Sequence, residues 1–241
     1  MTEEADVAVF GGTPGGIATA VRVAREGRSV VLVSRNRRLG GMMAGGLSYT
    51  DTLTMKHRAP ILEEFVGGVR DHYRSEYGPD SRQHEYCENG YVFEPHVAEG
   101  IFEDMVAAEQ RLRVLREYHV TAVTRSGRTV RDVTVEPFGE GGAVDIDAEV
   151  FLDATYEGDP AAAAGVDYRV GRESRWAFDE QFAGRLFTQT RADRYYPADA
   201  VGDGDDTAPP DRRGPLDTPP EKQQGDLDLI PHPAGLTEIY P

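Results

Sequence analysis

The sequence holds one cysteine and one tryptophan in 241 residues, and only two of its basic residues, Lys56 and Lys222, are lysines. A lone thiol, Cys87, excludes an internal disulfide framework and any cysteine-rich metal site, and fits a reducing compartment. Its simplest reading is a small buried or surface thiol. No apolar run approaches the roughly 18 residues that a membrane-spanning helix needs. The opening MTEEADVAVF passes from an acidic leader directly into a strand-like segment, without the basic region and apolar core of a secretory signal, so the expected location is cytoplasmic. Gly-x-Ser-x-Gly and His-Glu-x-x-His are both missing. The histidines at 57, 72, 84, 96, 119 and 232 lack metal-ligand spacing, which leaves each of them structural or exposed.

Basic charge is also scarce, with 26 basic against 42 acidic residues and a formal net charge of -16. Nucleic acid and anionic membranes are therefore poor partners. An acid-rich, lysine-poor surface resembles that of cytoplasmic proteins of halophiles, and a GC-rich genome produces the same bias of arginine over lysine. The two readings differ in salt. If the acidity is an adaptation, screening of acid-acid repulsion should raise the melting temperature steeply from dilute to molar KCl. A flat profile would leave genome composition as the cause.

What is present suffices for a core, since 39% of the residues are hydrophobic. Residues 6–10 (DVAVF) read as a short apolar strand and residues 11–16 (GGTPGG) as a tight turn. Ile17, Ala20, Val21 and Ala24 then recur at helical spacing, with Gly27 placed to end the helix. Residues 29–33 (SVVLV) form a β-branched run of the kind buried on both faces of a parallel sheet. This is the opening of a βαβ unit.

A glycine-rich loop over 40–50 follows, and Pro60 opens a helix whose Ile61, Leu62, Phe65, Val66, Val69 and Tyr73 make one apolar stripe. A second helix starts at Glu94 and Pro95 and carries Val97, Ile101 and Met105. Residues 113–136 read as strands joined by a turn at Ser126 and Gly127, and 149–152 as another strand. It runs into DATYEGDPAAAAG, where Asp159 and Pro160 suit an N-cap and a first helical residue. Residues 197–241 differ in character, with 9 of the 15 prolines and 10 acids against 3 bases. Such a stretch buries too little apolar surface to offset its ordering entropy alone. The expected division is a first domain over 1–196, then a tail or the start of a further domain over 197–241.

The strand-turn-helix context is what a dinucleotide-binding fingerprint requires. Gly11 permits the tight turn, Gly16 permits close packing of helix on sheet, and the helix N-terminus offers amide donors and a positive dipole to a pyrophosphate. Two positions depart from the pattern. Thr13 stands where the middle glycine is usual, and the second strand ends in Ser34 and Arg35 where an acid usually binds the ribose. Serine can still bond a ribose hydroxyl, whereas Arg35 could meet a 2′-phosphate, so NADP stays open as a ligand.

Four blocks in order, GGTPGGIATAVRVAREGRSVVLV, LGGMMAGGLSYTD, FEPHVAEGIFEDM and FLDATYEGDPAAAAGVDYRVGRES, together resemble a family of FAD-dependent oxidoreductases with the two-dinucleotide-domain (glutathione-reductase-like) flavoprotein fold. The resemblance covers about residues 6 to 175. It implies a Rossmann-like α/β FAD-binding domain, with a parallel sheet and an inserted antiparallel β-meander, present only as its N-terminal portion. It also implies that Gly11, Gly12, Thr13, Pro14, Gly15 and Gly16 hold the FAD pyrophosphate, with Ser34 and Arg35 at the ribose position. Gly40, Gly41 and Met42 would bring backbone close to the cofactor, and Gly46, Leu47 and the stretch from Tyr49 to Asp51 would approach the flavin. Asp153, Ala154 and Thr155 would form the turn that closes over the dinucleotide.

The function implied is hydride transfer from a small organic, carbohydrate-like substrate to flavin, with no catalytic base identified. Two rivals stand beside it. One is a short-chain nicotinamide reductase, disfavoured because its Tyr-x-x-x-Lys pair is absent: Thr52 and Thr218 stand four residues before the two lysines. The other is a non-catalytic nucleotide-binding remnant, or a subunit that a second chain completes, since no late glycine-and-acid block follows Ser174.

Overall fold

Residues 1–52 and 55–168 are described by the computed structural model, together with the backbones of Arg185–Phe187 and Asp228–Ile230. Contacts divide the chain into Met1–Asp167 and Tyr168–Pro241. The boundary expected at 196/197 and, apart from the backbone of Asp228–Ile230, the proline-rich stretch beyond it lie outside the described residues.

In the first unit, strand β1 (Thr2–Phe10) is followed by helix α1 (Pro14–Arg25) and strand β2 (Val30–Ser34). Strand β1 starts earlier than the apolar run DVAVF because Thr2 to Ala5 find partners, pairing with Asp145 to Ala148 of strand β6 (Val144–Asp153). A short helix α2 (Gly41–Ala44) occupies part of the expected glycine-rich loop. Helix α3 (Pro60–Tyr77) and helix α5 (Pro95–Ala107) match the two apolar stripes. Between them lies helix α4 (Arg82–Tyr86), which the periodicity does not announce; Ser81 Oγ caps it by accepting the His84 N–H at 3.2 Å. Strands β3 (Leu112–Arg116), β4 (Tyr118–Ser126) and β5 (Thr129–Pro137) complete the sheet. Glu117, at φ 63°, separates β3 from β4.

The sheet order is β3-β2-β1-β6-β5-β4. Strands β3, β2, β1 and β6 run parallel, while β6, β5 and β4 form an antiparallel meander. Strand β6 belongs to both parts, since Val144 to Asp147 also pair with β5. This is the Rossmann-like α/β sheet with a meander that the sequence led us to expect.

Alternation along β1 and β2 sorts two cores. Val9, Val30 and Leu32 face α1, α3 and α5, whereas Ala8, Phe10, Val31 and Val33 pack with Val133, Val135, Val144 and Ile146 of the meander. Burial of both faces explains why all five residues of β2 are apolar but one. Each buried aliphatic or Phe side chain contributes about 1.5–3 kcal/mol. On the helical side, Phe65 stacks on Phe102 at 4.6 Å and meets Phe93 edge-on at 5.4 Å. The Tyr73 hydroxyl donates to Glu94 Oε2 at 3.1 Å and accepts the Glu94 N–H at 3.0 Å, which fixes the start of α5 against α3. Burial pushes that phenol up to about 12.

The β2 entrance carries a titratable latch. The Asp6 carboxylate accepts the Ser29 N–H at 2.6 Å and the Ser29 Oγ–H at 2.9 Å, bonds that hold its pKa below the ordinary carboxylate value, with Arg28 adding to the effect. A lowered folded pKa stabilises above the unfolded pKa and is lost as pH falls through the folded one. Asp6→Asn should therefore remove part of the acid sensitivity of the melting temperature below about pH 4 and leave its neutral-to-alkaline slope unchanged. Identical acid limbs in the two proteins would show that the latch contributes nothing.

In the second unit, Arg185–Phe187 and Asp228–Ile230 form a two-stranded parallel ladder.

Candidate functional site

Gly11 to Gly16 lie at the carboxyl end of β1, where helix α1 begins. Gly11 has φ +115°, and a Cβ there would sit 2.4 Å from the Ala154 carbonyl oxygen. A Cβ on Gly12 would meet Ser34 Oγ at 2.4 Å, and one on Gly16 would fall 1.9 Å from the Gly11 carbonyl oxygen. Backbone blocks Gly11 and Gly16, which admit only glycine, whereas at Gly12 the obstacle is the Ser34 side chain. Gly15 differs, for it is exposed and only Thr13 Oγ1, at 4.0 Å, approaches where its side chain would be.

Thr13 at the position of the middle glycine has a structural task. Its Oγ1 accepts the Gly16 N–H at 3.1 Å, capping α1, and donates to the Ala154 carbonyl at 2.8 Å. One hydroxyl thus ties the turn after β1 to the end of β6, 141 residues away. Pro14 occupies the first helical position, where a missing N–H costs nothing.

A cleft of about 590 Å³, counted with its open mouth, runs from this turn along the carboxyl ends of β2 and β6 to the start of β4. Such crevices at the ends of parallel strands are where open α/β sheets take their ligands. Ser34 lines it but is itself buried, and its hydroxyl donates to the Asn36 carbonyl at 2.8 Å, so toward a ligand it has only lone pairs left. Arg35 lies across the mouth. Its Nη1 is 3.6 Å from Asp159 Oδ2, and its Cζ stands 5.1 Å from the centre of the Phe138 ring.

Asp159 corrects the sequence expectation. It is the first residue of helix α6 (Asp159–Ala163) rather than its cap, because Gly158 takes the left-handed cap conformation at φ 75°. The carboxylate that meets the helix N-terminus is Asp153, accepting the Ala161 N–H at 3.0 Å through Oδ2 while Oδ1 accepts the Thr155 N–H at 3.0 Å. Asp159 is thereby released to the cleft and to Arg35.

The glycine-rich stretch packs beside the turn. The Gly40 N–H donates to the Gly12 carbonyl at 2.9 Å, and a Cβ on Gly40 would stand 2.6 Å from the Phe102 ring. Tyr156 covers the next turn, its hydroxyl accepting the Met42 N–H at 3.0 Å, and a Cβ on Gly41 would meet that hydroxyl at 2.3 Å. Met42 and Leu47 are each 56% exposed, an apolar surface without cover among the described residues. Gly46 has φ +127° with open space around its Cβ position, and Asp51 sits exposed in a turn. Gly11 to Thr13, Ser34, Arg35, Gly41 and Thr155 thus share one cleft, whereas Pro14 to Gly16, Gly40, Met42, Gly46, Leu47, Asp51 and Ala154 are not among its lining.

Three contributors to the site have no signal in the sequence, Tyr118, His119 and Phe138, and Tyr156 stands inside the FLDATYEGDP block with no role assigned to it there. His119 is half-buried in the cleft wall, stacked on Phe138 at 4.6 Å, and its Nδ1 is buried with no hydrogen-bond partner among the described residues. No local pattern marks such residues, because strand pairing brings them to the cleft from the meander and the loop after β6.

A glycine turn closed to a Cβ at Gly11 and Gly16, a capped helix N-terminus above it and a cleft along the strand ends fit the pyrophosphate and adenosine portions of a dinucleotide. A family model described as FAD dependent oxidoreductase matches residues 6–232. A thiamine thiazole synthase of Desulfosudis oleivorans (strain DSM 6200 / JCM 39069 / Hxd3) is 37% identical over 79 residues, covering 32% of this chain and 31% of its own. Among solved structures, THI4 of Thermovibrio ammonificans is similar with a TM-score of 0.43 and 18% identity over 70% of this chain and 64% of its own. The myxobacterial chondrochloren halogenase CndH gives a TM-score of 0.43 and 20% identity over 64% of this chain and 37% of its own. The chain thus spans about a third of the curated relative and less than two thirds of either structure. No helix among the described residues is long and apolar enough to cross a membrane.

Proposed function

Because the chain belongs to the family of FAD dependent oxidoreductases, we propose that residues 1–196 form its FAD-binding domain and that the protein oxidises a small, carbohydrate-like organic substrate. The observation that carries the binding site is the turn whose Gly11 and Gly12 line the cleft, with Gly11 and Gly16 closed to any side chain by backbone carbonyl oxygens 2.4 Å and 1.9 Å from where a Cβ would stand. FAD, when bound, supplies the hydride-accepting ring system. The rest belongs to the protein. The N-terminus of α1 and the amides of the turn hold the pyrophosphate; Ser34 Oγ accepts from a ribose hydroxyl; Tyr118 and His119 wall the adenine end. Gly40 and Gly41 let the backbone approach the cofactor, and Tyr156 fixes the Met42 amide.

The exposed side chains of Met42 and Leu47 support a flavin seated over this loop and a further segment, or a partner chain, covering it. Residues 197–241 are then a tail or the beginning of a substrate domain. The sugar-like substrate rests on the family resemblance alone. Anaerobic titration of the FAD-loaded protein with a panel of aldoses, polyols, amino acids and 2-hydroxy acids tests it. Bleaching of the flavin by a sugar or polyol is expected, and bleaching by another class with no response to any sugar would overturn the substrate assignment.

A further inference from the structure

The geometry points to the Arg35–Asp159 pair as the element that makes this cleft select an adenosine with a free 2′-hydroxyl over one with a 2′-phosphate. The inference rests on the cleft being the adenosine site proposed above. Two observations carry it. Ser34 Oγ, at the end of β2, spends its only proton on the Asn36 carbonyl at 2.8 Å. It can accept a hydrogen bond from a ribose hydroxyl but has none to give a phosphate oxygen. Arg35, beside it in the cleft lining, has its Nη1 3.6 Å from Asp159 Oδ2. A 2′-phosphate entering here meets a carboxylate together with a guanidinium, so the attraction an unpaired arginine would exert is largely cancelled.

Sequence alone leaves Arg35 as a candidate partner for a 2′-phosphate. Asp159 lies 124 positions later (159 − 35), at the first turn of α6, and reaches Arg35 only because Gly158 turns the chain and Asp153 takes over the helix N-terminus. Both side chains of the pair are more than half exposed, at 55% and 59%, so the pair adds little to stability and its removal leaves the fold intact. Its consequence is for charge at the site.

Full-length protein stripped of nucleotide is titrated calorimetrically, at fixed ionic strength, with ADP and with adenosine 2′,5′-bisphosphate, and with FAD as reference. The parent should bind ADP and prefer it over the bisphosphate. In Asp159→Asn the affinity ratio should move toward the bisphosphate by about tenfold, the equivalent of about 1.4 kcal/mol. Adding Arg35→Ala to Asp159→Asn should cancel that gain. A parent that binds FAD and ADP while Asp159→Asn leaves the ratio unchanged overturns this inference alone, as does a gain that survives loss of Arg35. A folded parent that binds neither FAD nor ADP overturns the flavin reading and this inference with it.

Discussion

Gly16→Ala is expected to destabilise the protein by about 3 kcal/mol or more, whereas Gly15→Ala, one residue earlier, should raise stability by up to about 1 kcal/mol. Both glycines lie in the first turn of α1, and the same methyl group is added at each. At Gly16 it would lie 1.9 Å from the Gly11 carbonyl oxygen, which is backbone and cannot swing aside. Gly11 is held there by its own N–H to the Val33 carbonyl at 2.8 Å, and the Ala154 N–H on the Phe10 carbonyl, also 2.8 Å, fixes the neighbouring strand end. Relief would require α1 to lift off the sheet, giving up part of the burial of Ile17, Ala20 and Val21, all fully buried. At Gly15 the methyl meets open space, and what remains is the lower entropy of the unfolded chain. Urea midpoints of the three proteins decide it; shifts of the same sign at 15 and 16 would contradict the packing described here.

Thr13→Val should cost about 2 kcal/mol, while Thr13→Ser stays within about 0.5 kcal/mol of the parent. Valine keeps the shape and removes both hydrogen bonds, leaving the buried Gly16 N–H without its cap and the Ala154 carbonyl without its donor. A lost cap typically costs about 1 kcal/mol and an unsatisfied buried group about 1–3 kcal/mol, with partial overlap between the two. The loss should also weaken FAD retention, because the turn and the end of β6 together form the cleft. Equal stability of the valine and serine variants would mean that threonine is a passive substitute for glycine.

These two cases mark what the sequence does and does not disclose. The glycine turn, the β-branched second strand and the stripes of α3 and α5 are legible because each is local: a periodicity of two or of 3.6, a turn residue, a proline at a helix start. The reason for Thr13 is not local, since its partner is the carbonyl of Ala154. Tyr156 reaches the Met42 amide across 114 residues, and His119 enters the cleft wall from the meander. Asp159 looked like a cap because Asp before Pro usually is one. The left-handed Gly158 and the more distant carboxylate of Asp153 displaced it from that task. Local signals give the scaffold, and pairings over long separations complete the site.

The central claim is that this glycine cradle holds FAD, and cofactor content tests it most directly. Protein purified in the presence of FAD and freed of excess ligand should be yellow and, on denaturation, should release FAD. Gly16→Ala protein prepared in parallel should be colourless or nearly so. Parent protein that unfolds cooperatively, stays colourless after exposure to FAD and takes up NADPH instead would contradict the account.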